Sequence, residues 1–501
     1  MFTLTVKKYL KTKKLVFLLT AFLCTAVTAD NQRLTCQFNG TGPFIDPVQS
    51  GRYRSDENEY IFGARAYDKY RIPSLAQLNN GDIVFFAEYR PQYYVFNDFK
   101  SQSIIMRVKK KSGELTDSRI ILRNRDAEGA TTDNSNYKHN LMNPVSVYNK
   151  KTGVLHMFYN HIISYKNDNL ALRVFVMHSS SKDNGETWSI PVNLSRTFGE
   201  ECETLIVGPG RAVWISSDEP YANRIVVPLH TIGEAGKDGT KYPLAAQCDP
   251  DNTIGRGLFK VAYSDDDGVT WETSNRLDSG VDQGFYTESQ IVSLKGQLHL
   301  LSRLGGSYQY RATGLAYSDD GGKTWLRGFN ENGPVNAEGE NVGVSGRFVT
   351  PTQPGLATDG ENIYYTTTAF YSSSKSLSNR REAWIHRIDP DKMLSMDDSP
   401  VNVAQPITKS GFSNSAALYL GDGKIGVLWE EVRSWTLIPA IRNIYYTVFN
   451  VDDFREIDDP AWLSRGFTYY PVKNGSRNLL NPYIFPSGNI LSTETDYSQN
   501  R

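Results

Sequence analysis

Little of this sequence is long and apolar. One hydrophobic run, Leu15 to Ala26, interrupts an otherwise mixed chain, and no second run follows it. A bilayer span asks for about 20 apolar residues, so this run is too short and nothing later takes its place. Cysteine is scarce, with 4 in 501 residues, and no Cys or His spacing fits a metal site. Sustained heptads and long amphipathic helical patterns are missing, which excludes a coiled coil or helical bundle, and there is no low-complexity block. Basic residues do not outnumber acidic ones (Lys+Arg 54, Asp+Glu 55) and form no stripe, which argues against nucleic-acid binding.

The one apolar run reads as a targeting segment. Lys7, Lys8, Lys11, Lys13 and Lys14 precede it, and Val27-Thr28-Ala29 offers small residues for cleavage before Asp30. The expectation is a signal peptide over 1–29 and a mature protein that is soluble and secreted or lumenal. Its removal takes five Lys and no acid, so 49 basic residues face 55 acidic ones, a net charge of −6. Cys36, Cys202 and Cys248 remain, an odd number for a secreted chain, and Cys202–Cys248 is the expected pair. Asn39-Gly-Thr41, Asn193-Leu-Ser195 and Asn474-Gly-Ser476 are glycosylation sequons usable on that route.

What the chain does have is turn chemistry and aromatics: Gly 40, Pro 22 and 12% Phe, Trp and Tyr, a composition for many short strands. Three near-copies of one octapeptide organise it. They are Ser181-Lys-Asp183-Asn-Gly185-Glu-Thr187-Trp188, Ser264-Asp-Asp266-Asp-Gly268-Val-Thr270-Trp271 and Ser318-Asp-Asp320-Gly-Gly322-Lys-Thr324-Trp325, each after a strand-like run. Asp accepts backbone N–H groups within a turn, Gly tolerates positive φ, and Trp packs beneath the loop. Their starts lie 83 and 54 residues apart, one or two units of a radial repeat. A period of about 50 in an all-β chain points to a propeller of four-stranded blades.

These octapeptides resemble the Asp-boxes of sialidases, which in that family sit on the outer rim and speak for fold rather than chemistry. The resemblance becomes specific at Tyr70-Arg71-Ile72-Pro73-Ser74-Leu75, a turn at Gly81-Asp82, and Phe86-Ala-Glu88-Tyr-Arg90. In sialidases the Arg of Arg-Ile-Pro is the first of three that grip the substrate carboxylate, a role that falls on Arg71. The planar guanidinium fork matches a carboxylate and keeps its charge. Arg90 matches the family's next Arg on the hairpin. Asp98, followed by Ile104-Ile-Met-Arg107, matches the general acid that protonates the leaving oxygen and later activates water. The box expected next is degraded to Lys111-Ser-Gly-Glu-Leu-Thr116.

The stretches around Asn143-Pro144, Val207-Gly-Pro-Gly210-Arg211 and Arg224-Ile-Val-Val-Pro228 also resemble the animal enzymes. His230 follows them, either as a pocket wall or as a satisfied strand histidine. Tyr286-Thr-Glu288, a Gly296 turn and Ser302-Arg303 match the family's catalytic Glu and second carboxylate-binding Arg; a plain salt bridge would read the same way. The third Arg is Arg380 or Arg381, with Arg380 giving the better apolar alternation. The last motif, Gly-Tyr-Ser then Leu-Tyr-Glu, appears here as Gly411-Phe412-Ser413 and Leu428-Trp429-Glu430. Phe412 therefore stands where sialidases carry a nucleophilic tyrosine. Phe has no oxygen to attack with.

The resemblance covers roughly residues 60–450 and implies an all-β, six-bladed β-propeller. It would follow the signal peptide and a lead-in over 30–59, with a C-terminal extension, 451–501, packing on it. The implied function is removal of terminal sialic acid from glycoproteins, glycolipids or oligosaccharides by acid–base chemistry, with no metal or organic cofactor. Three readings of position 412 stay open. A nearby tyrosine (Tyr364, Tyr365 or Tyr371) substitutes or water is used directly; the propeller is a sialic-acid-binding lectin; or the substrate is a related nonulosonic acid.

Overall fold

In this computed structural model the described residues are 58–63, 69–90, 103–123, 137–165, 171–199, 203–231, 258–277, 284–306, 313–327, 352–370, 381–390, 403–433, 441–456, 483–484 and 490–491. They are almost entirely strand. Strand β1 (Asn58–Phe62) precedes the first blade, which comprises β2 (Lys69–Gln77), β3 (Ile83–Arg90), β4 (Ser103–Lys109) and β5 (Arg119–Arg123). The second holds β6 (Tyr137–Asn149), β7 (Val154–Tyr165), β8 (Ala171–Ser181) and β9 (Val192–Asn193), followed by the short helix α1 (Ser195–Phe198). In the third, β10 (Leu205–Val207) lies inside; β11 (Gly210–Arg211) pairs in parallel with β6, and β12 (Val213–Trp214) joins β13 (Ile225–Thr231), β14 (Phe259–Ser264) and β15 (Glu272–Thr273). The fourth comprises β16 (Gly284–Leu294), β17 (Gln297–Gly306), β18 (Thr313–Ser318) and β19 (Leu326–Arg327).

The last two blades share one sheet. β20 (Leu356–Thr358), β21 (Ile363–Phe370), β22 (Arg381–Ile388) and the start of β23 (Val403–Gly421) make the fifth. The 19-residue β23 then runs on to become the inner strand of the sixth, pairing with β24 (Lys424–Arg433), which pairs with β25 (Ile441–Asn450). The outer strand of that sixth blade is β1, so the strand that precedes the first blade closes the ring against β25. The result is a six-bladed β-propeller.

Each blade is buried on both faces by its neighbours, so its central strands read as near-continuous apolar runs rather than alternating ones. On β3, Val84 and Phe86 pack with the second blade while Phe85 and Ala87 pack with the sixth. Phe85 and Phe86 have no solvent exposure, a burial that contributes about 2–3 kcal/mol each.

At the axis the blades are joined by a collar of hydrogen bonds. Ser74 Oγ meets Ser146 Oγ of the second blade at 2.7 Å and donates to the Gly210 carbonyl beside the third. Gln290 of the fourth blade donates to the Pro209 carbonyl and accepts the Arg211 N–H. Gln353, ahead of the fifth, donates to the Pro73 and Ser415 carbonyls at 3.3 and 2.8 Å. Residues just before these positions on the inner strands therefore stand together on one side of the collar. That side is the rim on which the site residues converge.

The three Asp-box turns are built alike. In each, the Ser hydroxyl accepts the Gly N–H, one Asp oxygen accepts the Thr N–H at 2.8 Å, and the other accepts the Thr hydroxyl. The Trp indole donates to the Gly carbonyl at 3.1 to 3.2 Å. These turns join the third and fourth strands of their blades, at the end opposite the rim. Each is also fastened to the preceding blade: Arg119 donates to the Gly185 carbonyl, His156 pairs with Asp267 at 2.9 Å, and Arg224 donates to the Gly321 carbonyl at 2.9 Å. They staple blades as well as turns.

Candidate active site

Four inner strands carry the same irregularity at the rim. In β2, β6, β16 and β23, two residues oppose one on the partner strand: Ile72-Pro73, Asn143-Pro144, Thr287-Glu288 and Ser413-Asn414. Such bulges bend a strand and re-aim its side chains, and they gather beside active sites. Ile72 and Asn143 take positive φ, 54° and 55°, and a β-branched residue there is strained.

The strain at Ile72 is held by Glu430. Its Oε1 accepts the Ile72 N–H at 2.6 Å, lies 3.4 Å from Arg71 Nε, and accepts from Asn414 at 3.3 Å. Glu430 is fully buried and Arg71 nearly so, leaving 8% of Arg71 exposed. A guanidinium braced on one edge by a buried carboxylate is fixed in direction with its charge retained. Glu88, also sealed from solvent, accepts from Arg90 Nε at 2.9 Å and from the Asn143 N–H at 2.8 Å, bridging the first two blades. Burial pushes the Glu88 carboxyl above the usual range against the opposing pull of Arg90, the Asn143 N–H and Arg71.

Across the rim, Arg303 stands opposite the Thr287-Glu288 bulge and pairs with Glu288 at 3.1 Å, both side chains about one-fifth exposed. Sequence spacing brings them to neighbouring strands, and the structure joins them as an ion pair that a ligand can reach. Arg90 differs: it is 1% exposed and tied to Glu88, so it lies behind the rim. His230 sits half-buried on β13, its backbone paired with Ile206 and Phe259. Glu88, Glu430 and Asn143 receive no role from sequence reasoning. The signal available for Glu88 was its spacing of two from Arg90, which puts both on one strand face.

Phe412 has no solvent exposure. Its ring stacks on Trp429 at 5.7 Å within the apolar layer between the last two blades, which also holds Tyr364, Ile385 and Ile407. Tyr364 lies in that layer with its hydroxyl on Asp359 at 2.7 Å, and Tyr365 stacks on His386. Burial lifts the Tyr364 phenol well above its ordinary value, with the Asp359 carboxylate adding to the shift. Neither is set up as a nucleophile. Arg381 opens β22, its backbone paired with Phe370 and Gly411. Asp98, Arg380, Tyr371, Cys36, Cys202, Cys248, the sequons at Asn39 and Asn474, and the 1–29 segment lie outside the described residues. Asn193 of the remaining sequon is exposed, and its Oδ1 accepts the Ser195 N–H. Among the described residues no group of three His, Cys, Asp or Glu is gathered for a metal, and no helix is long and apolar enough to cross a membrane.

Comparison with known proteins agrees with this architecture. Residues 103–349 match the BNR repeat-like domain. The chain is 26% identical over 293 residues to the anhydrosialidase of Macrobdella decora, covering 56% of this chain and 32% of that protein. It is 26% identical over 262 residues to a sialidase of Paraclostridium sordellii, covering 50% and 55%. The chain thus spans about a third to a half of these relatives. The intramolecular trans-sialidase of Ruminococcus gnavus superposes with a TM-score of 0.54 at 17% identity, over 80% of this chain and 98% of that one. With the boxes, the bulged rim and these relatives in hand, the chain is similar to sialidases: it is a β-propeller carrying a BNR repeat-like domain.

Proposed function

We propose that this protein is a glycoside hydrolase that removes terminal sialic acid from glycoproteins, glycolipids or oligosaccharides outside the cytosol. The observation that carries the reading is Arg71: raised on a strained bulge, nearly buried, and braced by Glu430. A bidentate grip on a carboxylate needs that orientation, and a merely structural arginine does not. Arg303, with Arg380 or Arg381, completes the grip on the resemblance to sialidases, and Asp98 supplies the proton to the leaving oxygen.

The attack does not fall to residue 412, whose ring lies in an apolar layer and bears no oxygen. Glu288 is the base within reach of solvent, and it acts on water. One displacement by water inverts the anomeric centre, whereas a covalent enzyme intermediate retains it. The leech intramolecular trans-sialidase has been obtained with 2,7-anhydro-Neu5Ac, so the product assay must distinguish free from anhydro sugar. The second reading, a sialic-acid-binding lectin, is favoured by Phe412 alone. Retention of Asp98 and Glu288 favours turnover, since a lectin needs neither.

The test is release of sugar from 2,3- and 2,6-linked sialyl-lactose by the mature protein, with Arg71→Ala alongside. Arg71→Ala should lower both glycan binding and release by at least a hundredfold, since it removes a charge-assisted contact and leaves Glu430 buried and unpaired by that arginine. A variant that binds and cleaves like the parent would remove the basis of the proposal.

A further inference from the structure

A cavity of about 360 Å³ opens against the outer strands of the third blade, beside the end of α1. Helix α1 gives it Thr197; β14, β15 and the residues after them give Lys260, Thr273, Asn275 and Arg276. None of these belongs to the inner strands that carry Arg71 and Glu288. The described lining holds two cations, Lys260 and Arg276, and no carboxylate. The carboxylate stands behind them. Glu203, whose side chain has no exposure, accepts from Lys260 Nζ through Oε2 at 3.1 Å and from Arg276 Nε through Oε1 at 3.0 Å. Of the Arg276 side chain, 27% stays exposed, enough for a ligand to reach.

The same device holds Arg71 at the rim, where Nε lies against the sealed Glu430. A guanidinium braced at Nε by a buried carboxylate is fixed in place and keeps its charge. With that carboxylate outside the lining, the cavity wall is positive. Around the cations the lining is polar. Thr197 is exposed and Thr273 partly so, each with a hydroxyl. Asn275 is pinned through Oδ1 to the Trp325 N–H at 3.1 Å, which leaves its amide nitrogen as a donor. Cations with hydroxyl and amide groups beside them suit a hydroxylated ring that bears a carboxylate. The volume lies at the small end of ligand sites, roughly 300–1,000 Å³, room for one sugar residue.

We propose that this cavity is a second carbohydrate site, which takes a uronic acid residue of an acidic glycan. The sugar carboxylate meets Arg276 and Lys260, and the ring hydroxyls meet Thr197, Thr273 and Asn275. The site stands apart from the rim and does not depend on turnover there.

Calorimetric titration with glucuronate, glucose and inorganic phosphate reads this directly, using Arg71→Ala to silence the carboxylate grip at the rim. Glucuronate should saturate one site and glucose none. Phosphate, which lacks the ring hydroxyls, should bind about tenfold more weakly than glucuronate. Adding Arg276→Ala should weaken glucuronate by about tenfold or more, the loss of a charge-assisted contact. Glu203 keeps Lys260 in that variant, so its charge stays paired. Crystals of the unaltered protein soaked in glucuronate should show the sugar within hydrogen-bond reach of Arg276 or Lys260, a result that does not depend on any variant folding. Glucuronate bound no tighter than glucose or phosphate, an affinity unmoved by Arg276→Ala, or sugar density confined to the rim would overturn the proposal.

Discussion

At position 412 the side chain bears no oxygen, and its surroundings are apolar. The Phe412 ring lies against Trp429, and Trp429 stacks in turn on Tyr445 at 5.2 Å. Restoring tyrosine would push a hydroxyl into this layer. Phe412→Tyr should therefore cost about 1–3 kcal/mol of stability, the penalty for a buried hydroxyl without a partner. It should leave the rate of sugar release unchanged. Denaturant unfolding and sialyl-lactose turnover check the two halves. A variant that gains tenfold in turnover would mean that the ring faces the substrate after all. The substitution itself was visible in the sequence. Its burial was not, because the packing partners Ile385 and Ile407 come from a different blade.

At the level of elements, motif and geometry separate in an instructive way. The bulges at Ile72-Pro73 and Asn143-Pro144 carry proline, a residue that marks an interrupted ladder. Those at Thr287-Glu288 and Ser413-Asn414 have no such mark and are known only from the register. The Asp-boxes show the same split. Their internal bonds span four residues or fewer and could be read from spacing. Their ties to the preceding blade join residues 66, 111 and 97 positions apart, beyond any local pattern. Asp320→Ala would remove the acceptor for both Thr324 groups and should lower stability by about 1–2 kcal/mol. Because that turn lies at the end opposite the rim, KM and kcat should stay at the parent values. A selective loss of kcat in a folded variant would contradict that separation.

For the whole molecule, closure and burial set the response to pH. β1 closes the last blade, and the collar unites all six at the axis. Between blades, burial pulls His299 to about 4 and His386 to about 3, below the ordinary value of about 6.5. The unfolded chain thus binds more protons than the folded one in this window. Stability should be complete about a unit above pH 6.5 and fall as pH drops toward 4, with a slope that approaches about 1.4 kcal/mol per unit for each histidine below pH 6. Between pH 6.5 and 5 the two together predict a loss of roughly 3 kcal/mol by urea unfolding. A flat profile would mean that these sites admit the proton.

On the function proposed above, this propeller turns over sialylated sugar with water and without the tyrosine hydroxyl. Proton NMR of sialyl-lactose cleavage, recorded before the released sugar mutarotates, tests it most directly. Inverted sialic acid as the first product is the predicted result. A retained anomer would require a covalent nucleophile elsewhere in the pocket. Saturable binding with no release at all would contradict the enzyme reading and leave a lectin built on the same propeller.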